Sequence, residues 1–599
     1  MHYFNPLNVY YKSITGAIQE NTPVIFRLKS NDSACYMVVI EDSTKEEFRY
    51  EMKKDNDTFF VELSFSVGLK WYYFELSNGK KLGKGENYNA EIQNKINFYQ
   101  LTVYSRDYKV PSWLKGGVIY QIFPDRFYKS EKYKINTKKF VHENWFDTPV
   151  YKPNEDGQVL NNDFFGGNIQ GIIEKLDYLK SLSVNAIYLN PIFKAFSNHR
   201  YDTGDYFVID ELLGDENDLI ELIEKANRKG IKIILDGVFN HVGDDSIYFN
   251  KYGNYDSVGA YQNTNSKYYS WFNFIDYPND YESWWGIKTL PQVDKNNIDY
   301  INFICGENGV IERYTKLGIG GWRLDVVDEL NGNFVKKLRE RVKTNNKNAI
   351  IIGEVWEDAS NKVSYGERRE YFLGKELDSV MNYPLKNAIL EYVTKKDEKA
   401  LLSVVLEQLN NYPKIVLDSL MNILSTHDTI RLISALSGIN INGLTKEQQE
   451  KIKLNNIQKN DSIFLVKIAS LLQFTLYGVP SIYYGDEVGM EGFTDPLNRM
   501  CFPWKNENVV LLNWYKFLGK LRKNYKAFND GEISILLAKN GAFVFKRENI
   551  NSNVLVCVNL SNDEINLSFD GEVKELISTK VFNNSAIQKT NSFGIYVKN

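Results

Sequence analysis

Short alternating runs of apolar and polar residues fill the first hundred positions. Val24-Ile25-Phe26-Arg27-Leu28, Tyr36-Met37-Val38-Val39-Ile40 and Trp71-Tyr72-Tyr73-Phe74-Glu75-Leu76 are separated by polar turns. Such regular short strands with no helical period predict a β-sandwich over residues 1–108. From Gly117 the rhythm becomes strand, loop, helix. Apolar stretches at 117–123, 186–190, 232–236, 321–325, 349–354, 377–381, 420–424 and 479–484 read as buried strands. Segments of helical period lie between them, for example 169–182 and 218–228. Eight strands alternating with helices predict an α/β protein built on a closed (β/α)8 barrel, residues 109–528.

About eighty residues separate the third strand from the fourth, where one βα unit needs ~30. The excess, roughly 242–302, is rich in Tyr, Asn and Trp and predicts a small inserted domain over the barrel mouth. After a helix at 509–521 the short alternation returns, as in Ala542-Phe543-Val544-Phe545-Lys546-Arg547. It predicts a C-terminal β-sandwich over 529–599.

The totals narrow the function. A net charge of -4 in 599 residues favours neither nucleic acid nor an anionic membrane as a partner. No apolar run reaches membrane-spanning length. The N-terminal Met-His-Tyr-Phe-Asn-Pro-Leu-Asn lacks the charged-then-apolar pattern of a signal peptide, so a cytoplasmic location is expected. Cys35, Cys305, Cys501 and Cys557 form no C-x-x-C pair and read as buried free thiols of a reducing compartment. Aromatic residues reach 14%, with 40 Tyr and 10 Trp; exposed rings are platforms for flat sugar faces, although many will be core.

The chemistry concentrates at the carboxyl ends of predicted strands, where barrel enzymes keep their catalytic groups. Four stretches stand there: Asp236-Gly237-Val238-Phe239-Asn240-His241, then Gly321-Trp322-Arg323-Leu324-Asp325, then Gly353-Glu354-Val355-Trp356, and last Ser425-Thr426-His427-Asp428-Thr429. Arg323 and Asp325 are two apart on a strand and aim to one face. A carboxylate beside a guanidinium stays ionised, which suits a nucleophile. Asp325 and Glu354 end adjacent strands, and Asp428 ends a strand about two βα units further on. Of five histidines in the chain, His199, His241 and His427 all fall in these loops, where they can donate to a polar ligand.

Together these four stretches resemble the signature regions of the α-amylase family of glycoside hydrolases (family 13), over roughly 117–504. Gly478-Val479-Pro480-Ser481-Ile482-Tyr483-Tyr484-Gly485-Asp486-Glu487 is similar to that family's eighth strand. The β-rich N-terminal region, Phe123-Pro124-Asp125-Arg126-Phe127, His199-Arg200-Tyr201-Asp202-Thr203 and Leu290-Pro291-Gln292-Val293-Asp294 resemble the neopullulanase, cyclomaltodextrinase and maltogenic amylase branch.

The resemblance implies a retaining glycosidase acting on α-1,4 and also α-1,6 glucosidic bonds of starch-derived oligosaccharides, cyclodextrins or pullulan. Asp325 would be the nucleophile, Glu354 the acid/base, and Asp428 the acid that grips sugar hydroxyls. Retention needs two carboxyls ~5–5.5 Å apart, which adjacent strands supply. Glu354 must keep its proton while Asp325 stays bare. Arg323 nearer Asp325, and apolar neighbours such as Trp356 nearer Glu354, would act in that sense. His241 and His427 would donate to hydroxyls of the same ring, Tyr201 would stack under it, and Asp495 and Arg499 would hold the next sugar. Arg323, Asn240 and Trp356 belong with these substrate-binding candidates, and Asp236 is a structural acid at the site. A 4-α-glucanotransferase, with a sugar hydroxyl replacing water, and a non-catalytic glycan-binding protein are the alternatives. The N-terminal domain of such relatives binds sugar or builds a homodimer.

Two departures bear on substrate and metal. Calcium-binding Asn/Asp residues of the branch are replaced by Tyr128-Lys129-Ser130-Glu131-Lys132-Tyr133-Lys134. A hard dication wants six to eight oxygens, so no metal or other cofactor is expected, although Gly166, Gly167 and Asn168 persist. The usual Val-Ala-Asn-Glu is here Val326-Val327-Asp328-Glu329, and Asp328 is expected to add a charge where acceptor sugars lie.

Overall fold

The computed structural model describes residues 2–134, 137–155 and 157–598. Met1 and Asn599, the outermost positions of the two expected β-domains, lie outside them. The barrel strands are β1 (Ile119–Ile122), β2 (Ala186–Leu189), β3 (Lys232–Gly237), β4 (Gly321–Leu324), β5 (Ile350–Gly353), β6 (Ser379–Val380), β7 (Met421–Asn422) and β8 (Val479–Tyr483). Neighbours in sequence pair in parallel, β8 returns to β1, and a Met381–Met421 bridge joins β6 to β7. The ring is closed, as the eight-strand reading requires.

Parallel strands covered by helices must be apolar on both faces, and alternation decides which face is which. Ile119, Ala186, Tyr188, Ile234, Ile350, Ile352, Met421, Ile423 and Val479 form one cluster inside the barrel, with Leu114 and Trp113. Ile187, Ile233, Leu235, Trp322, Leu324 and Ile351 join the larger core beneath the helices. Continued towards the carboxyl ends, the inward alternation meets Asp236 after Ile234, Glu354 after Ile352, and Arg323 and Asp325 after Gly321. The barrel is therefore dry below and acidic at its mouth.

Local signals fix the elements around it. The helix Glu216–Arg228 starts at Asp215, whose side chain caps Asp218 N–H while Asp218 reaches back in a reciprocal capping box, as expected of an acidic N-terminus. Between β3 and β4 the chain makes an aromatic excursion in which Phe249 packs on Phe272, Phe274 and Tyr281. A bridge from His241 to Gln292 ties its return to the mouth. The helices Ile298–Cys305 and Val310–Lys316 then cross to β4.

The N-terminal residues form a four-stranded and a seven-stranded sheet around Phe26, Met37, Tyr72, Phe74 and Tyr99. At the C-terminus the expectation of a sandwich is corrected, because the described residues form one six-stranded antiparallel sheet. The barrel helices supply the second layer: Tyr392 donates to Gly541 O at 3.0 Å, and Trp514 meets Phe593 at 5.5 Å. The sheet's other face is covered by its own strand Ile565–Glu575, which shifts register between Ser568 and Glu572 and brings Leu567 and Val573 over Val544 and Cys557. All four cysteines are buried and unpaired. Among the described residues no helix is long and apolar enough to cross a membrane.

Candidate active site

β3, β4 and β5 deliver their terminal side chains to one guanidinium. Arg323 is fully buried; its Nη1 lies 2.7 Å from Asp236 Oδ1 and 2.9 Å from Asp325 Oδ1, and its Nη2 lies 2.6 Å from Glu354 Oε2. Asp325 and Glu354 are thus held on the two nitrogens of a single planar group, close enough for one sugar ring to touch both. Asp236 is fixed in turn by the hydroxyls of Tyr188 at 2.6 Å and Tyr201 at 2.8 Å.

This geometry corrects two expectations. Arg323 is shared rather than reserved for Asp325, and it lies under the cavity floor instead of facing substrate. Trp356 meets Glu354 through its indole N–H, 3.2 Å from Oε1, while its ring stacks on Tyr383 at 4.0 Å; it offers a polar edge, not an apolar lid. Burial pushes the Asp325 carboxyl well above its ordinary value, and Glu354, Asp236 and Asp428 add to this against the pull of Arg323. Burial outweighs the guanidinium, which corrects the expectation that Arg323 alone keeps Asp325 ionised in the free site.

Asp428 stands across the mouth. Burial and Glu354 push it up to about 7, with Arg499 and Arg323 opposing. His427 Nδ1 accepts from Gln121 Nε2 at 3.0 Å, so its proton sits on Nε2, 3.1 Å from Asp428 Oδ2. Burial holds this imidazole neutral, well below its usual range. Tyr201 stacks on it with ring centroids 5.1 Å apart and planes parallel within 1°, which continues an aromatic floor. Arg499 joins Asp495 at 2.9 Å and Asp428 at 3.5 Å and donates to His427 O at 3.0 Å. It is buried and belongs to the site rather than to a surface ion pair.

His241 and Asn240 are placed differently from the expectation. His241 Nε2 donates to Tyr201 O at 3.0 Å, and its Nδ1 meets Asn240 Oδ1. The neutral ring donates from Nε2 alone and its Nδ1 abuts the Asn240 side chain; it forms a wall beside Trp284 at 5.2 Å. Asn240 is fully buried and reaches the Asp325 carbonyl at 3.3 Å; it supports the Asp325 backbone. Among the described residues His199 Nε2 has no protein partner, and its Nδ1 accepts from Tyr201 N–H at 3.1 Å. That bond leaves the His199 proton on Nε2, at a ring that lines the cavity.

These groups surround a cavity of about 1370 Å³, large enough for several sugar rings. Beyond Asp325 it is lined by residues that the sequence did not single out. Trp285 Nε1 donates to Glu329 Oε1 at 3.2 Å and Tyr365 OH to Glu329 Oε2 at 2.6 Å. Both rings are largely open, at 79% and 76%. Asp328 is not a bare charge there: Lys362 Nζ lies 3.1 Å from its Oδ2, and Tyr371 OH donates to its Oδ1 at 2.5 Å.

The lysine-rich loop after β1 is tied down by its own ion pairs and caps. Lys132 Nζ sits 3.1 Å from Glu174. Asp125 is committed to Arg126 Nε at 2.7 Å and to the N–H groups of Phe165 and Gly166. Asn168 Oδ1 caps Gly171 N–H at 2.8 Å. These side-chain oxygens of Glu174, Asp125 and Asn168 have protein partners. Among the described residues no group of three or more His, Cys, Asp or Glu could hold a metal ion.

Carboxyls gathered at the carboxyl end of a closed parallel barrel define the catalytic face of a (β/α)8 enzyme fold. Residues 121–532 match the alpha-amylase catalytic domain, and the chain belongs to the alpha-amylase family. It is 35% identical over 611 aligned positions to an amylopullulanase of Thermoanaerobacter thermohydrosulfuricus, with 90% of this chain and 40% of that one covered. It is 34% identical over 524 to a cyclomaltodextrinase of Thermoanaerobacter pseudethanolicus, with 84% and 80% covered. The chain spans about two fifths of the length of that amylopullulanase. The type III pullulan hydrolase from Thermococcus kodakarensis superposes with a TM-score of 0.70 at 26% identity over the full length of both chains.

Proposed function

We propose that this chain is a retaining α-glucan hydrolase that cleaves α-1,4 bonds, and α-1,6 bonds as well, in starch-derived oligosaccharides, cyclodextrins or pullulan. The observation that carries the reading is the pair Asp325 and Glu354 on the two nitrogens of Arg323. In the first step an Asp325 oxygen attacks the anomeric carbon as the glycosidic C–O bond breaks, and Glu354 gives its proton to the leaving oxygen. In the second, Glu354 takes a proton from water, whose oxygen displaces Asp325 from the anomeric carbon.

Charge supports the scheme. Two guanidiniums, Arg323 and Arg499, face the carboxyls of Asp236, Asp325, Glu354, Asp428 and Asp495. This negative excess stabilises an oxocarbenium-like transition state. Tyr201 and His427 supply the surface under the reacting ring, and His199 Nε2–H a donor beside it.

A glucanotransferase reading has one observation in its favour, the open rings of Trp285 and Tyr365, which suit a sugar acceptor. Product analysis on cyclodextrin, pullulan and starch side by side tests both. Reducing sugar released in step with substrate loss supports hydrolysis, and elongated products without net release support transfer. Asp325→Asn should abolish either activity with the fold intact; near-normal turnover by that variant overturns the assignment.

A further inference from the structure

The turn that follows Asp325 is gripped from outside the barrel. A hairpin, Val363–Ser364 paired with Glu367–Arg368, reverses at Tyr365 and Gly366, whose φ angles are 52° and 78°. Two consecutive left-handed residues make a tight two-residue reversal. From this hairpin Tyr365 OH reaches Glu329, Ser364 Oγ donates to Asp328 O at 2.9 Å, and Arg369 Nη2 donates to the same carbonyl at 2.8 Å. Lys362, at its base, pairs with Asp328. Asp328 and Glu329 therefore take their positions from a hairpin that a two-stranded ribbon alone could not keep ordered.

The N-terminal sandwich supplies that order. Arg368 Nε donates to Asp42 Oδ2 at 2.8 Å and Arg368 Nη2 to Asp42 Oδ1 at 3.1 Å, a two-point fit of guanidinium to carboxylate. Asp42 is buried and is held by Trp71 Nε1 at 2.9 Å. Beside it, Gln100 Nε2 donates to Ser360 Oγ at 2.9 Å and Asn361 Nδ2 donates to Gln100 Oε1 at 2.7 Å. Arg368 also reaches the Asn361 carbonyl, which closes the base of the hairpin onto the sandwich.

We propose that the N-terminal sandwich is a positioning element of its own barrel's active site: Asp42, through Arg368, holds the hairpin that sets Lys362 and Tyr365 over the sugars beyond the cleaved bond. Asp42 and Arg368 touch no substrate. They select for glucans that extend several rings past that bond and are indifferent to a small aryl glycoside. This inference rests on the hydrolase reading for its substrates, but the positioning itself can be measured without turnover.

The test compares Asp42→Asn and Arg368→Gln with the unmodified chain. Hydrogen exchange of the 362–369 amides should accelerate ~10-fold or more as the hairpin opens; unchanged exchange overturns the proposal whether or not the chain hydrolyses glucans. On maltohexaose or cyclodextrin, kcat/KM should fall about 10- to 100-fold, chiefly through KM. On an aryl α-maltoside it should change less than about twofold. Equal losses on both substrates would mark a merely structural role and overturn the idea. The losses in the double variant Asp42→Asn/Arg368→Gln should be no larger than in either single one, as coupling between the two requires, and fully additive losses would overturn the proposal. If the single variants do not fold, Ser360→Ala removes the Gln100 contact that ties the base of the hairpin to the sandwich. It should reproduce the faster exchange of the 362–369 amides, and unchanged exchange would again overturn the proposal.

Discussion

The backbone N–H of Val326 donates to Glu354 Oε2 at 2.9 Å, so the residue after Asp325 orients the Glu354 carboxyl. Val326 does this from φ 37°, ψ 59°, a left-handed conformation that costs a β-branched residue ~1–3 kcal/mol. Glycine adopts it freely. Val326→Gly should therefore hold or raise the melting temperature while kcat falls about tenfold, because the loosened turn no longer fixes Asp325 against Glu354. Loss of melting temperature and kcat together would show that the strain is not spent on alignment.

Glu354 touches the N–H groups of Val326 and Trp356 as well as Arg323, contacts that fix its carboxyl rather than leave it in an apolar pocket. Replacement by Gln keeps this shape and removes the proton. Turnover of a poor leaving group should fall by ~10²–10⁴. An activated aryl glycoside, whose phenolate needs little protonation, should lose much less. Equal losses on the two substrates would remove Glu354 from the acid role.

The eight barrel strands were legible because strands covered on both faces are near-continuous apolar runs, and alternation carried Asp236, Arg323, Asp325 and Glu354 to one mouth. What alternation cannot show is how those groups share partners. R-x-D spacing implied a private pair, whereas the parallel register sets Asp236 of β3 opposite Arg323 and the end of β5 brings Glu354 to it. Trp285, Lys362 and Tyr365 were illegible for a different reason. They lie on loops whose positions are set by contacts with Asp328 and Glu329 and, through Arg368, with Asp42 in another domain. No local period encodes such contacts. His241 and Asn240 were legible as site residues but not as supports, since burial decides which polar side chain meets substrate.

Chelation provides a check on the loop after β1. Lys132, Arg126 and the cap made by Asn168 already satisfy Glu174, Asp125 and the first turn of the helix Ile169–Glu174. Millimolar EDTA should leave both the melting temperature and kcat/KM within error. A drop of several degrees, reversed by calcium, would show that the loop rearranges to bind one.

Arg499 pulls Asp428 down from the value that burial and Glu354 impose. Removing the guanidinium should let the Asp428 carboxyl rise further, by about one pH unit. If Asp428 works ionised, the acid limb of the kcat/KM profile moves to higher pH in Arg499→Gln, and activity at pH 5 falls more than activity at pH 8. An unmoved acid limb would separate Arg499 from Asp428, and the variant's loss would then be one of sugar binding alone.

The same shift has a consequence for stability. Asp428 is raised from its unfolded value to about 7 in the fold, so between roughly pH 4 and pH 7 the native state binds more protons than the unfolded one. By linkage, this group's contribution to stability is fully present below its unfolded value and is lost as pH rises through the folded one. Asp428→Asn, which removes the charge and keeps the shape, should raise the melting temperature by a few degrees at pH 8 and little or not at all at pH 4. The carboxyl is one-third open to solvent, so screening keeps the gain small. Melting curves of the two proteins across this range decide it: a stabilisation that grows towards acid pH would mean that the mouth of the barrel favours the ionised acid, contrary to the crowding of Asp325 and Glu354 around it.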